Sequence, residues 1–361
     1  PLTAPDRRFR QARLGLALAA GLALAIASAA VRSETDPQHR PPPPFLSRPD
    51  LRAPIPQVTG RASGYVFLAP KRRHQPSGPM IVDPTGEIVW FRPLARGVIP
   101  DDLKVQRYRG QPVLTWWEGR TNARGYGRGV WVIADSSYRE IARVKAGNGL
   151  HGDLHDMILT DRGTALITVY RRVRTEQRPA SKDGEAVDSI VQEIDVATGK
   201  VVFEWHSLDH VKTGESQAGS PSKFSFPYDY FHINSIDVDH DGHLLISGRN
   251  TWAIYKVHRR TGQVIWRLGG KHSDFKMGPG AQFVWQHDAR RQPDGTITVF
   301  DNQSAPKVGE KSRLLTLKLD MRRMRADVVK SITYPRRTLL SDAEGNYQRL
   351  PNGNHFAGWG I

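Results

Sequence analysis

The chain has 361 residues, with 52 Lys and Arg against 36 Asp and Glu, a formal charge of +16 and no cysteine. That length holds one large domain or two ordinary ones, and the absence of cysteine excludes disulfides and thiolate metal sites. The charge favours an anionic partner, whether nucleic acid, anionic lipid or a small sulfate or phosphate ester. The basic residues are dispersed and form no nucleic-acid module, so an arginine-rich exported protein is the plainer reading and no nucleic acid is expected.

The first element is "RRFRQAR" followed by Leu14 to Val31, eighteen residues without a charge, ending in "AIASAAVRS". A basic start, an apolar stretch and small residues at Ala27 and Ala29 predict a signal peptide or a signal-anchor over residues 1–31. Either places the folded part outside the cytoplasm, secreted or anchored through residues 14–31. Residues 32–62, with "HRPPPPFLSRPDLRAPIPQ", read as a Pro-rich extended spacer. The chain opens without Met and stops at "GNHFAGWGI", so a fragment at both ends is expected.

From residue 63 to 361 short apolar strands and turn signals dominate. One phrase recurs as "DPTGEIVWF", "DVATGKVVFEW" and "HRRTGQVIWRLGG": a Thr-Gly turn, then a strand closing on Trp90, Trp205 or Trp266. Glycine suits such hairpin turns, and the tryptophans suit the seams between sheets. A second phrase sets a glycine turn before an apolar strand, in "YRGQPVLTWWEG", "DRGTALITVY", "DHDGHLLISG" and "PDGTITVFDN". Together they make four-strand units at a period of roughly 40 to 60 residues, the spacing of propeller blades. Units open near Gly64, Tyr108, His155, His232 and His287, with a sixth at "LPNGNHFAGWG". The prediction is an all-β, six-bladed β-propeller whose last blade is cut short.

His155, His232 and His287 lie eight, ten and eight residues before Gly163, Gly242 and Gly295. They therefore fall at corresponding places near the start of a unit, where a propeller would turn them into one central funnel. Each alone reads more plainly as a hydrogen-bonded wall residue; three at matched places point to a site. Three imidazoles could hold zinc. Arg249, after the strand that follows His232, argues for an anion instead, since its planar fork suits sulfate or phosphate oxygens. Asn234 could add an amide donor, while Phe231 and Trp285 either pack within blades or flank an aryl ring.

The set "LHDM", "HINSIDVD", "SGRN", "WQHDARR", "FDN" and "GNHFAGWG", in this order, resembles the arylsulfotransferases that use aryl sulfates as donors without a nucleotide cofactor. The resemblance covers most of Gly64 to Ile361 and implies a six-bladed propeller with no cofactor and no metal. It implies that His287 is the nucleophile that becomes a transient sulfohistidine. His232, Asn234 and Arg249 would bind the sulfate oxygens, and His155 would assist proton transfer with His232. Aryl sulfates and phenols would be the partners, in a ping-pong reaction. The chain departs from members that carry an N-terminal β-sandwich domain or a disulfide.

Three rival readings remain open. "DVDHDG" begins like a calcium loop at Asp237, Asp239 and Asp241, but Gly248 stands at the twelfth position, so a charged turn is expected. The Thr-Gly…Trp phrase resembles quinoprotein propellers, which would repeat it in nearly every blade. The third is a non-catalytic extracellular binding scaffold.

Overall fold

The computed structural model describes residues 64–71, 77–219 and 225–361. The residues predicted as signal segment and spacer lie outside these, apart from the boundary near residue 63. Among the described residues no helix is long and apolar enough to cross a membrane.

The fold is all-β, a succession of sheets in chain order, antiparallel apart from one two-residue parallel pairing in the fifth. The first contains β1 (Val66–Leu68), β2 (Met80–Val82) and β3 (Ile88–Phe91). The second runs through β4 (Ile99–Tyr108), β5 (Gln111–Thr121), β6 (Gly127–Ala134) and β7 (Glu140–Val144). The third comprises β8 (Gly152–Leu159), β9 (Thr164–Arg174), β10 (Glu185–Asp195) and β11 (Val201–His206). A Gly129–Gly152 pairing stitches the second to the third. The fourth holds β12 (Ile233–Val238), β13 (Leu244–Gly248), β14 (Ala253–Val257) and β15 (Val264–Gly269). The fifth has β16 (Lys276–Met277), β17 (His287–Arg291), β18 (Ile297–Asp301), β19 (Arg313–Asp320) and β20 (Arg325–Thr333). The pair β21 (Asn346–Arg349) and β22 (His355–Gly358) completes the set.

The sequence phrases have physical counterparts. Gly110, Gly163, Gly242 and Gly295 close the hairpin between the first two strands of four sheets, all with φ between 75° and 81°, where a side chain would be strained. Each Thr-Gly…Trp tryptophan sits on an outer strand and covers a seam. Trp90 meets Trp116 and stacks on Tyr138 of the second sheet's outer turn. Trp205 donates from Nε1 to the Gly262 carbonyl at 3.0 Å, and Trp266 joins the cluster with Phe275 and Leu268.

Two unit boundaries differ from expectation. The second sheet opens at Ile99 rather than Tyr108, because "IPDDLKVQRY" is a strand despite its charges. The last pair opens at Asn346, ahead of "LPNGNHF".

Those charges explain how the first strands meet. Lys104 of β4 lies 2.6 Å from Asp102 and 2.7 Å from Asp156 of β8. The other Asp156 oxygen takes Arg290 of β17 at 2.8 Å and the Ile236 N–H of β12 at 2.8 Å. Arg290 also donates to the Ile236 carbonyl and binds Asp288 at 2.7 Å. Asp288 in turn accepts the Tyr347 N–H of β21 at 2.8 Å. One chain of ionic bonds thus runs through β4, β8, β12, β17 and β21. Burial alone would push the Asp156 carboxyl up, but Arg290 and Lys104 outweigh it and hold it down to about 2.

Removing Asp156 would take from Lys104 and Arg290 one of the two carboxylates that each holds and leave the buried Ile236 N–H unpaired. Asp156→Ala is therefore expected to cost about 3–5 kcal/mol in urea unfolding, whereas Asp294→Ala, at a half-exposed pair with Arg349, should leave the midpoint nearly unchanged. Because the folded pKa of Asp156 is depressed, its contribution is complete above the ordinary carboxylate pKa. It is lost as pH falls toward 2, so wild type should lose more stability than Asp156→Asn between pH 4 and pH 2.

Candidate active site

The strand starts just ahead of this ionic chain carry the histidines. His155 lies within β8, His287 opens β17, and His232 immediately precedes β12. Each of these strands has a register irregularity there, at Gly152/Met157, Ile233/Ser235 and His287/Arg290. A bulge re-aims side chains at a strand end. His232, Trp285 and Asp288 hold φ of 55°, 56° and 51°, and Trp252 holds 54°. Left-handed residues other than glycine cost roughly 1–3 kcal/mol each and gather at functional sites.

The three histidines occupy two kinds of position. The place eight residues before the hairpin glycine holds His155 and His287, but Asn234 in the fourth sheet and Asp102 in the second. His232 reaches the cluster from one step outside its strand. His155 and His232 meet edge to face with ring centroids 5.0 Å apart. Tyr170 touches both at 5.5 and 5.6 Å and stacks on Tyr126 at 4.7 Å.

Each imidazole has its Nδ1 tied differently. His155 Nδ1 lies 2.5 Å from Asp153 Oδ1, and His232 Nδ1 lies 2.5 Å from Asp229 Oδ2. His287 Nδ1 lies 2.8 Å from Asn302 Oδ1. The Asn302 amide nitrogen donates to the Ser341 and Glu344 carbonyls at 3.2 and 2.9 Å. That pair fixes which way the amide points, so Oδ1 must accept and His287 Nδ1 must carry the proton. Among the described residues no group bonds the Nε2 lone pair of His287.

The partners separate the three titrations. Burial and then the Arg249 cation push the His287 pKa well below the ordinary value, against a smaller opposing effect of Asn302. Burial also lowers His232, with Asp229 opposing and His155 and Arg249 adding to the fall. For His155 burial acts downward too, but Asp153, its hydrogen bond and the more distant Asp101 and Asp229 outweigh it and raise the pKa. The arrangement presents a neutral imidazole with an open nitrogen beside one that tends to hold its proton.

Arg249 follows β13 in a short 3₁₀ turn, Arg249–Thr251. Its fork is steered by neutral oxygens, Asn250 Oδ1 at 2.9 Å and the Asp342 carbonyl at 3.0 Å. Its flat face lies over the Trp285 ring at 4.9 Å. Trp285 thus serves the arginine directly, with its Nε1 donating to the Pro306 carbonyl at 2.9 Å. Asn234 is buried, with one amide hydrogen on the Gln286 carbonyl at 2.6 Å. Phe231 stands apart from this set. It is wholly buried in a core cluster, against Trp205, Tyr230 and Tyr255.

Sequence reasoning missed Asp153, Asp229, Asn302 and Tyr170. Asp153 and Asp229 sit two and three residues before their histidines, in "GDLHDM" and "YDYFHIN", and Asn302 ends the "FDN" phrase. A carboxylate two or three residues before His155 and His232 was the available signal for those two. Asp239 of the calcium-like turn is bound by Arg291 and Lys256 at 2.8 Å each. Among the described residues no group of three or more His, Asp or Glu side chains has metal-holding geometry.

An all-β chain in which a half-buried arginine lies beside histidines from three successive sheets is a β-sheet protein with a cationic, histidine-lined candidate site. Residues 104–361 match the arylsulfotransferase (ASST) family, and the chain belongs to that family. No curated protein matches it. Among solved structures it is similar to a protein of unknown function from Bacteroides caccae, at 13% identity over 81% of this chain and 82% of that one, TM-score 0.48. It is also similar to virginiamycin B lyase from Staphylococcus aureus, at 9% identity over 82% and 88%, TM-score 0.39.

Nitrogen-15 NMR of histidine-labelled protein should find His287 neutral, with the proton on Nδ1, throughout pH 5 to 7. His155 should titrate above the ordinary imidazole pKa of about 6.5.

Proposed function

We propose that this protein moves a sulfuryl group from an aryl sulfate ester to a phenol by a ping-pong reaction through a sulfohistidine at His287. One observation carries the reading: a buried, neutral His287 whose Nδ1 is committed to Asn302 and whose Nε2 lone pair, bonded by no described residue, lies within the field of Arg249.

In the first half-reaction Nε2 attacks sulfur, the N–S bond forms and the S–O bond to the aryl group breaks. The proton stays on His287 Nδ1, hydrogen-bonded to Asn302 Oδ1, so the sulfated imidazolium and its sulfonate balance in charge. The leaving aryl oxide takes a proton from His155, the imidazole that favours its cationic form, and departs as a phenol. In the second half-reaction another phenol gives its proton back to His155 while its oxygen attacks sulfur and the N–S bond breaks. Arg249 and the remaining amide hydrogen of Asn234 would hold the equatorial oxygens, where transferred charge spreads. Tyr170 and Tyr126 offer a flat surface for the aryl ring.

In this reading the six sheets are the blades of a six-bladed propeller with their first strands toward the axis. Residues 1–31 act as a signal or an anchor through residues 14–31 and carry the domain out of the cytoplasm. Neither nucleic acid nor a cofactor takes part, and the Thr-Gly…Trp phrase serves seam packing rather than a quinone.

A chromogenic aryl sulfate assayed with and without added phenol tests the proposal. Phenol-dependent release abolished by His287→Ala supports it. Absence of release from folded protein across several donors would make a binding scaffold the better reading.

The pH profile gives an independent check. His287 must be neutral and its pKa is lowered; His155 must be protonated and its pKa is raised. With donor limiting, kcat/KM should therefore be flat across about pH 6.5, falling on the acid side only well below it and on the alkaline side above it. The alkaline limb should disappear in His155→Gln.

A further inference from the structure

The loop from Ser341 to Glu344, between β20 and β21, contributes no side chain to the histidine cluster. Three of its backbone carbonyls nevertheless end on the site. Ser341 and Glu344 accept both hydrogens of the Asn302 amide, which decides where His287 keeps its proton. Asp342 accepts from Arg249 Nη2, which decides where the guanidinium points. The nucleophile and the cation beside it are thus aimed by one four-residue loop.

Besides the Ser341 Oγ bond to the Gly360 carbonyl and the backbone bonds of Asp342 and Ala343 to Ile361, three side-chain ties hold that loop. The Ser341 N–H donates to Ser312 Oγ at 2.7 Å, and Ser304 Oγ donates to Asp342 Oδ1 at 2.6 Å. Both come from the adjoining fifth-sheet region. The third comes from the opposite end of the domain. Lys71, just after β1, lies 2.8 Å from Glu344 and 2.7 Å from Asp101 in β4. Its ammonium bridges the second sheet to the loop preceding β21. A single lysine therefore reaches across three elements to the segment that aims Asn302 and Arg249. A pair as open as Lys71 and Glu344, with side chains 31% and 50% exposed, adds little to global stability. Its effect belongs in the geometry of the loop.

We propose that Lys71 is a positioning residue of the site: by binding Glu344 and Asp101 together it locks the loop Ser341–Glu344, and through that loop it sets the tautomer of His287 and the aim of Arg249. Lys71 itself touches neither histidine nor substrate. Only the kinetic part of its test rests on the sulfuryl-transfer reading. Its ammonium pKa is raised to about 12, since Asp101 and Glu344 outweigh burial, so the lock is charged across the neutral range.

The test compares wild type, Lys71→Met and Lys71→Arg by urea unfolding, steady-state kinetics on a chromogenic aryl sulfate and nitrogen-15 NMR of labelled histidine. Lys71→Met should keep its unfolding midpoint, lose about tenfold in kcat and change donor KM by less than about threefold, the pattern of misplaced rather than missing groups. Its His287 signals should move from a fixed Nδ1–H form toward an average of the two tautomers. Lys71→Arg should restore most of both. Wild-type kcat and an unaltered tautomer in Lys71→Met would overturn the proposal, as would a loss that arginine fails to repair. If wild type transfers no sulfuryl group, the functional reading falls and the NMR comparison still decides: averaged signals uphold the lock, unchanged signals sink it. Should Lys71→Met fail to fold, Glu344→Gln is measured by the same criteria.

Discussion

The carboxylate of Asp156 is the point on which the rest of the fold depends. It is fully buried, and it holds Lys104 from the second sheet, Arg290 from the fifth and a backbone N–H from the fourth. A core of apolar seams can hold neighbouring sheets together without fixing how their first strands lie relative to one another. Charged bonds of defined length and direction do fix it. The catalytic candidates occupy the same strands, within a few residues of these anchors, so the accuracy of the site is inherited from the ionic chain below it.

Above that chain, three chemically identical imidazoles are made different by one neighbour each. A carboxylate beside His155 favours its charged form, and an amide beside His287 leaves burial and Arg249 to enforce the neutral one. His232 lies between, with a carboxylate that does not fully offset burial. Division of labour among like residues therefore needs no difference in the residues themselves. It needs Asp153, Asp229 and Asn302 at their Nδ1 atoms.

The elements governed by local rules were legible. Hairpin glycines must take positive φ and outer-strand tryptophans must be covered, so both leave a mark in the sequence at fixed offsets. The strand "IPDDLKVQRY" was not legible, because Lys104 pairs with Asp102 and with Asp156 of another sheet, and Asp101 with Lys71, so these charges are met by protein rather than by water. His232 stands two residues ahead of the place that Asn234 fills, one step outside its strand, which spacing to the glycine alone did not reveal. Asn302 was visible only as part of a phrase; its role depends on a loop forty residues later.

The left-handed residues around the site carry a further consequence for how such a protein can change. His232, Trp252, Trp285 and Asp288 hold a backbone shape that glycine would adopt without strain. Replacing any of them by glycine would relax the chain while discarding the ring or carboxylate that the shape was holding in place. The backbone strain at these places is therefore outweighed by what the side chains hold: Trp285 fills buried space and Asp288 ties Arg290 to the Tyr347 N–H, so the shape and the side chain are kept together.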